Sequence, residues 1–151
     1  MDISLIQLKK FNGCLIYEDM PIKPYPNFFR YLPISDSGFN TIFNKTIYLS
    51  KELYADIQTT NPKPLSVAVL KHQIVHANNA CLVKFLKYIA SKRFRLIEEE
   101  EAFTAMFKHL KLNNETFDLE KVAKNFSGIR YLWMTTYTDG LRVVTNFWEK
   151  A

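Results

Sequence analysis

Two of the three histidines in the chain, His72 and His76, stand four residues apart in LKHQIVHANNA, residues 70–80. On an α-helix that spacing brings two side chains to one face, a turn apart. Two imidazoles so placed can meet one cation without bending the backbone. Zinc takes nitrogen, thiolate and carboxylate ligands in a tetrahedral array. Helices also carry such a pair with one histidine in solvent and the other in the core, so the question is whether a third ligand of the right kind exists. The best source is the run Glu98-Glu99-Glu100-Glu101, which begins 22 residues after His76, room for one helix and a return.

Helical phase selects among the four glutamates. The apolar stripe of EEEEAFTAMFKHLK (98–111) is Phe103, Met106 and Leu110. Counting back four from Phe103, or seven from Met106, reaches Glu99, while Glu98, Glu100 and Glu101 turn toward solvent. Burying a lone carboxylate is costly, and a cation removes the cost. Glu99 is therefore the expected third ligand, with Glu98 its nearest rival. The third histidine, His109, is expected on the surface near a helix C-terminus, too far along that helix from Glu99 to share an ion. Between the histidines sits Gln73, whose amide can hydrogen-bond a water molecule but cannot act as a base near neutral pH.

These residues need helices to hold them, and the second half of the chain supplies helical patterns. Asn61-Pro62-Lys63-Pro64 is a breaker. Residues 65–82 then run without Pro or Gly, with Leu65, Val69, His72 and His76 on one face. A second helix is expected over 82–94, bent from the first near the two asparagines, and a third over 98–111 with its glutamates at the positive end of the helix dipole. Helices at 119–126 and 128–137 follow, separated at Gly128, the second carrying Tyr131, Trp133 and Tyr137. Asp139-Gly140 reads as a turn before a last helix at 141–148. The first half reads as strands and turns. GCLIYE (13–18) is a short strand. MPIKPYPNFFRYLP (20–33), with four of the six prolines, is an irregular segment anchored by aromatics including Phe28, Phe29 and Tyr31. Residues 38–50 make a hairpin around Asn44-Lys45, and Ser50 caps a short helix at 51–57. The expected class is α+β: a short N-terminal sheet or hairpin, then a predominantly helical second half, in a single domain over residues 1–151.

Residues 40–107 resemble the core of small single-domain zincin metallopeptidases of the gluzincin kind. NKTIYLS (44–50) matches the strand that leads into their metal-binding helix, LKHQIVHANN (70–79) the H-E-x-x-H helix, and RLIEEEEAF (95–103) the later helix whose glutamate completes the site. Such proteins often read E-x-E-A before an aromatic, which here is Glu99-Glu100-Glu101-Ala102 with Phe103 and again selects Glu99. The resemblance implies a zincin-like fold, a zinc ion on His72, His76 and Glu99, and a peptide or protein substrate. It also marks a departure. The family's glutamate accepts a proton from the attacking water and passes it to the leaving amine. Gln73 stands in its place, and loss of a general base costs about 10² to 10⁴ in rate. The catalytic position is thus occupied by a residue that cannot do the catalytic work. Either the protein is a pseudo-peptidase by nature, or glutamate is the natural residue and has been replaced. In zincins a tyrosine can also donate to a developing oxyanion; nothing in the sequence chooses one, and core packing is the expected role of Tyr131, Trp133 and Tyr137.

Bulk properties limit the alternatives. At 48% hydrophobic and 15% aromatic the chain can bury a sizeable core, which argues against disorder. A net charge of +5 falls short of a dedicated nucleic-acid binder. The stretch Lys84, Lys87, Lys92, Arg93 and Arg95 reads as a solvated helix surface complementing a helix C-terminus. Cys14 and Cys81 form no disulfide framework and no C-x-x-C motif, which points to reduced thiols in a cytosolic protein, Cys81 buried. No signal-peptide pattern opens the chain, and no apolar run approaches the roughly 20 residues that span a bilayer, so no membrane partner is expected. The leading function classes are a zinc metallopeptidase relative silenced at Gln73 and, as runner-up, a non-enzymatic structural or assembly protein on the same scaffold, a virion component for instance, with protein partners; a nucleic-acid-binding module, which would show steeply salt-dependent binding, is a minor third.

Overall fold

The computed structural model describes residues 21–26, 41–43, 46–79 and 82–151. The expected strand at 13–18, the aromatic cluster around Phe28, the turn at Asn44-Lys45 and both cysteines lie outside these residues. The chain divides into two compact units, Met1–Ala80 and Cys81–Ala151. Helices predominate beside a short sheet, the α+β class the sequence implies.

In the first unit, β1 (Ile22–Pro24), β2 (Thr41–Phe43) and β3 (Thr46–Leu49) form one sheet in the order β1-β3-β2. The expected hairpin is present: β2 and β3 are antiparallel, with Ile42 opposite Ile47. The irregular reading of residues 20–33 fails at its start. Ile22–Pro24 pairs in parallel with β3, placing Ile22 opposite Ile47. The two prolines that argued against a strand are accommodated because β1 is an edge among the described residues. Pro21 contributes only its carbonyl, to the Ile47 amide, and Pro24 needs no donor on the open side. Alternation on β3 sends Ile47 and Leu49 inward, both fully buried.

Ser50 caps α1 (Lys51–Ile57), its hydroxyl accepting from the Leu53 amide at 3.3 Å. The turn after it is tied by Asp56, whose Oδ2 accepts from the Lys63 amide at 2.9 Å. Pro64 then opens α2 (Pro64–Asn79) at the position where a missing N–H costs nothing. Leu70, Ile74 and Ala77 on α2 join Ile22, Ile47, Leu49, Tyr54 and Ile57 in the core of this unit. Each large member contributes about 1.5–3 kcal/mol by leaving water.

The second unit is helical. The helix expected over 82–94 ends early, as α3 (Leu82–Ala90), because Ser91 caps a new one by accepting from the Phe94 amide at 3.2 Å. That helix, α4 (Lys92–Leu112), starts six residues before the expected Glu98, so its first turn holds no glutamate and the dipole argument for the acidic run falls away. Phe103 of α4 meets Phe126 of α5 (Leu119–Phe126) edge to face at 5.5 Å. Phe107 meets Trp148 of α6 (Tyr137–Lys150) at 5.1 Å. Both contacts are in the favoured aromatic geometry.

Two expectations fail between α5 and α6. Residues 128–137 are not one helix: a 3-10 turn covers Ile129–Tyr131, and Leu132 and Trp133 follow with left-handed φ of 53° and 48°. Tyr131, Trp133 and Tyr137 therefore lie on different elements. Asp139-Gly140 is not a turn but the first turn of α6. Thr136 caps it, accepting from the Asp139 amide at 3.2 Å while the Asp139 carboxylate answers the Thr136 hydroxyl at 2.9 Å. Gly140 serves close packing instead. A Cβ there would stand 2.9 Å from the Thr135 hydroxyl and 3.3 Å from the Ala123 carbonyl of α5.

Candidate metal centre

α2 carries its histidines beside the core stripe rather than in it. Of the predicted face Leu65–Val69–His72–His76, Leu65 is exposed and Val69 half-buried, so the face does not form the core. His72 is nonetheless buried and His76 half-buried, with Gln73 half-buried between them. The two rings stand edge to face, their centroids 4.8 Å apart. Their Nε2 atoms are 3.1 Å apart. Two nitrogens bound tetrahedrally to one zinc at about 2.0–2.1 Å would be separated by about 3.3 Å. The pair thus holds the bite of a two-nitrogen chelate. Without a metal the same approach requires one ring to give a proton to the other, because two facing N–H groups would repel.

In the second unit Glu99 is the buried member of the acidic run, 2% exposed. Glu101 is exposed, Glu100 pairs with Lys150, and Glu98 lies 3.6 Å from the Lys84 ammonium. The Tyr88 hydroxyl donates to Glu99 Oε1 at 2.7 Å. Arg95, one turn before Glu99 and equally buried, donates from Nη1 to the Tyr88 carbonyl at 2.6 Å and the Ile89 carbonyl at 2.8 Å. It satisfies the end of α3 from the start of α4. Arg95 is thus no part of a solvated surface; desolvation of its charge is offset by two charge-assisted bonds.

The tyrosines around Glu99 are held neutral. Burial, then the charge of Glu99 and its hydrogen bond, push the Tyr88 phenol far above its ordinary value. Burial and the Glu99 charge push the Tyr131 phenol up likewise, against a smaller opposing effect of Arg130. Both stay donors at any physiological pH. Tyr131 was one of three tyrosine or tryptophan candidates in the sequence. Tyr88 was missed. Its signal was the spacing of four from Lys84, which puts both on the face of α3 that meets Glu98 and Glu99. That face is polar, whereas patterning predicts that the apolar face turns inward.

His109, in the last turn of α4, is half-buried and accepts a hydrogen bond at its carbonyl from Asn113 Nδ2 at 2.8 Å. His72 and His76 in the first unit and Glu99 in the second are of the residue types that bind zinc. No protein-family model matches the chain, and neither curated proteins nor solved structures give a match.

Proposed function

We propose that this chain is a zinc-binding protein of the metallopeptidase lineage on a zincin-like scaffold. In this reading His72, His76 and Glu99 share one ion, and Gln73 leaves the domain with little or no peptidase activity. The observation that carries it is the 3.1 Å approach of the two Nε2 atoms on α2. The burial of Glu99, selected from four glutamates by phase, supports it. Bound zinc would polarise a carbonyl and activate water. The chain's own residues do the rest. Tyr88 fixes the orientation of the Glu99 carboxylate by its hydrogen bond. Arg95 in turn holds the Tyr88 backbone. Gln73, between the histidines, can hold a water by its amide but cannot take its proton.

The test is elemental analysis of purified protein, with circular dichroism to establish folding. About one zinc per chain is expected, lost on His72→Ala, His76→Ala or Glu99→Ala. A folded chain with no zinc ends the reading, and zinc retained in the Glu99 variant moves the third ligand elsewhere. Gln73→Glu restores the general base. Hydrolysis of an unfolded protein by this variant, about 10² above the parent, is expected.

A further inference from the structure

We infer that the outward face of α3 binds the surface of an anionic phospholipid bilayer. The helix is docked with its polar side inward: Lys84 and Tyr88 meet Glu98 and Glu99 of α4. That turns Leu82, Phe85, Leu86 and Ile89, spaced as one helical stripe, away from the unit. They are 50–73% exposed, with Val83 beside them at 60%, and α3 has no buried residue. The five side chains present roughly 500 Å² of apolar surface on one short helix, the size of a monomer's largest apolar patch, which is often functional. Ile97 on α4, 54% exposed, adds to the apolar surface of this unit.

Charge says what covers it. From Cys81 to Ile97 the chain has five basic residues and no acidic one. Arg95 is buried at the end of α3 and Lys84 is engaged by Glu98. Lys87, Lys92 and Arg93 remain exposed, at the C-terminal end of the stripe and just beyond it. An apolar stripe with cations beside it is the pattern of a helix lying in a membrane interface, where apolar burial and attraction to anionic headgroups add. A second copy fits poorly. Two such faces would set the like charges of Lys87, Lys92 and Arg93 together. Among the described residues no helix is long and apolar enough to cross a membrane. The binding is to a surface, on which the absence of spanning runs has no bearing.

Co-sedimentation of the full chain with vesicles tests this, using phosphatidylcholine alone and phosphatidylcholine mixed with phosphatidylserine. Binding to the mixed vesicles is expected with roughly a hundredfold preference over the neutral ones, the effect of three surface cations, and it should weaken as salt rises. Phe85→Gln/Leu86→Gln, at exposed helical positions where glutamine is well tolerated, should lose at least about tenfold in binding with an unchanged dichroism spectrum. Lys87→Glu/Lys92→Glu/Arg93→Glu should erase the preference while leaving the apolar stripe intact. No binding to either vesicle, equal binding to both, or binding indifferent to these variants would overturn the inference. So would a dimer in light scattering that the Phe85/Leu86 variant dissolves, since a second copy would then own the face.

Discussion

The Tyr88 hydroxyl and the Glu99 carboxylate are joined across α3 and α4 by a 2.7 Å hydrogen bond. Glu99 is buried and Tyr88 is held protonated beside it, so the bond is a donor–acceptor pair with fixed roles. Tyr88→Phe removes the donor and keeps the ring. Expected is a folded protein that binds zinc roughly 10- to 100-fold more weakly, the usual effect of losing a ligand's supporting partner. Competition with a chromophoric chelator measures it; unchanged affinity would remove Tyr88 from the site.

Metal occupancy should show in stability. A ligand that binds only the native state stabilises it in proportion to the logarithm of its concentration over Kd, about 2.7 kcal/mol at a hundredfold excess. Zinc is therefore expected to raise Tm by several degrees and a chelator to lower it. His72→Ala should abolish the difference. Differential scanning fluorimetry with and without chelator reads it directly.

Arg95 is a costly charged side chain to remove from the second unit, being 3% exposed. Arg95→Met keeps much of the volume but deletes both bonds to the Tyr88 and Ile89 carbonyls. A loss of about 2–4 kcal/mol is expected from two buried acceptors left without their charged donor. Arg95→Lys should recover only part, because one ammonium cannot reproduce the planar fork. Urea denaturation followed by tryptophan fluorescence checks both.

The acid and alkaline limits of stability should have named contributors. A hydrogen bond from the Ser66 side chain holds Asp56 below its ordinary value of 3.8; desolvation opposes it, and the Lys63 amide and then the Lys63 charge add to the lowering. A lowered folded pKa means stability present above 3.8 and lost as pH falls through the folded value. Asp56→Asn should flatten that acid limb at a cost of about 1 kcal/mol or less at neutral pH, since the carboxylate is well solvated. At the other end burial pushes Tyr25 from 10.0 up to about 12. Stability from keeping it neutral is complete below pH 10 and lost as pH rises toward 12, so Tyr25→Phe should weaken the alkaline decline. Denaturation midpoints across pH measure both slopes.

Legibility in the sequence followed the physics of each signal. Ser50 as a cap, the breaker at Pro62–Pro64, the β2–β3 hairpin and the burial of Glu99 rest on local chemistry or short-range phase, and all are present. The parallel pairing of β1 with β3 is a non-local event that prolines disguised. Asp139-Gly140 carried turn chemistry, but the Thr136 cap and the need for a missing Cβ beside Ala123 made it helical. Ser91 as a helix start went unseen because LVKFLKYIASKRF has no breaker to announce it. The inverted docking of α3 was beyond patterning altogether, since patterning assumes that apolar faces turn inward.

One consequence of the α2 geometry concerns motion rather than chemistry. Both imidazoles hang from a single uninterrupted rod, so their separation is dictated by helical rise and survives any rearrangement that leaves α2 intact. A cation gripped there would act as a staple across the turn from residue 72 to residue 76, close to where the rod ends at Asn79. Fraying of that terminus would be slowed, and backbone amides after His72 should exchange their hydrogens more slowly with zinc present than without it.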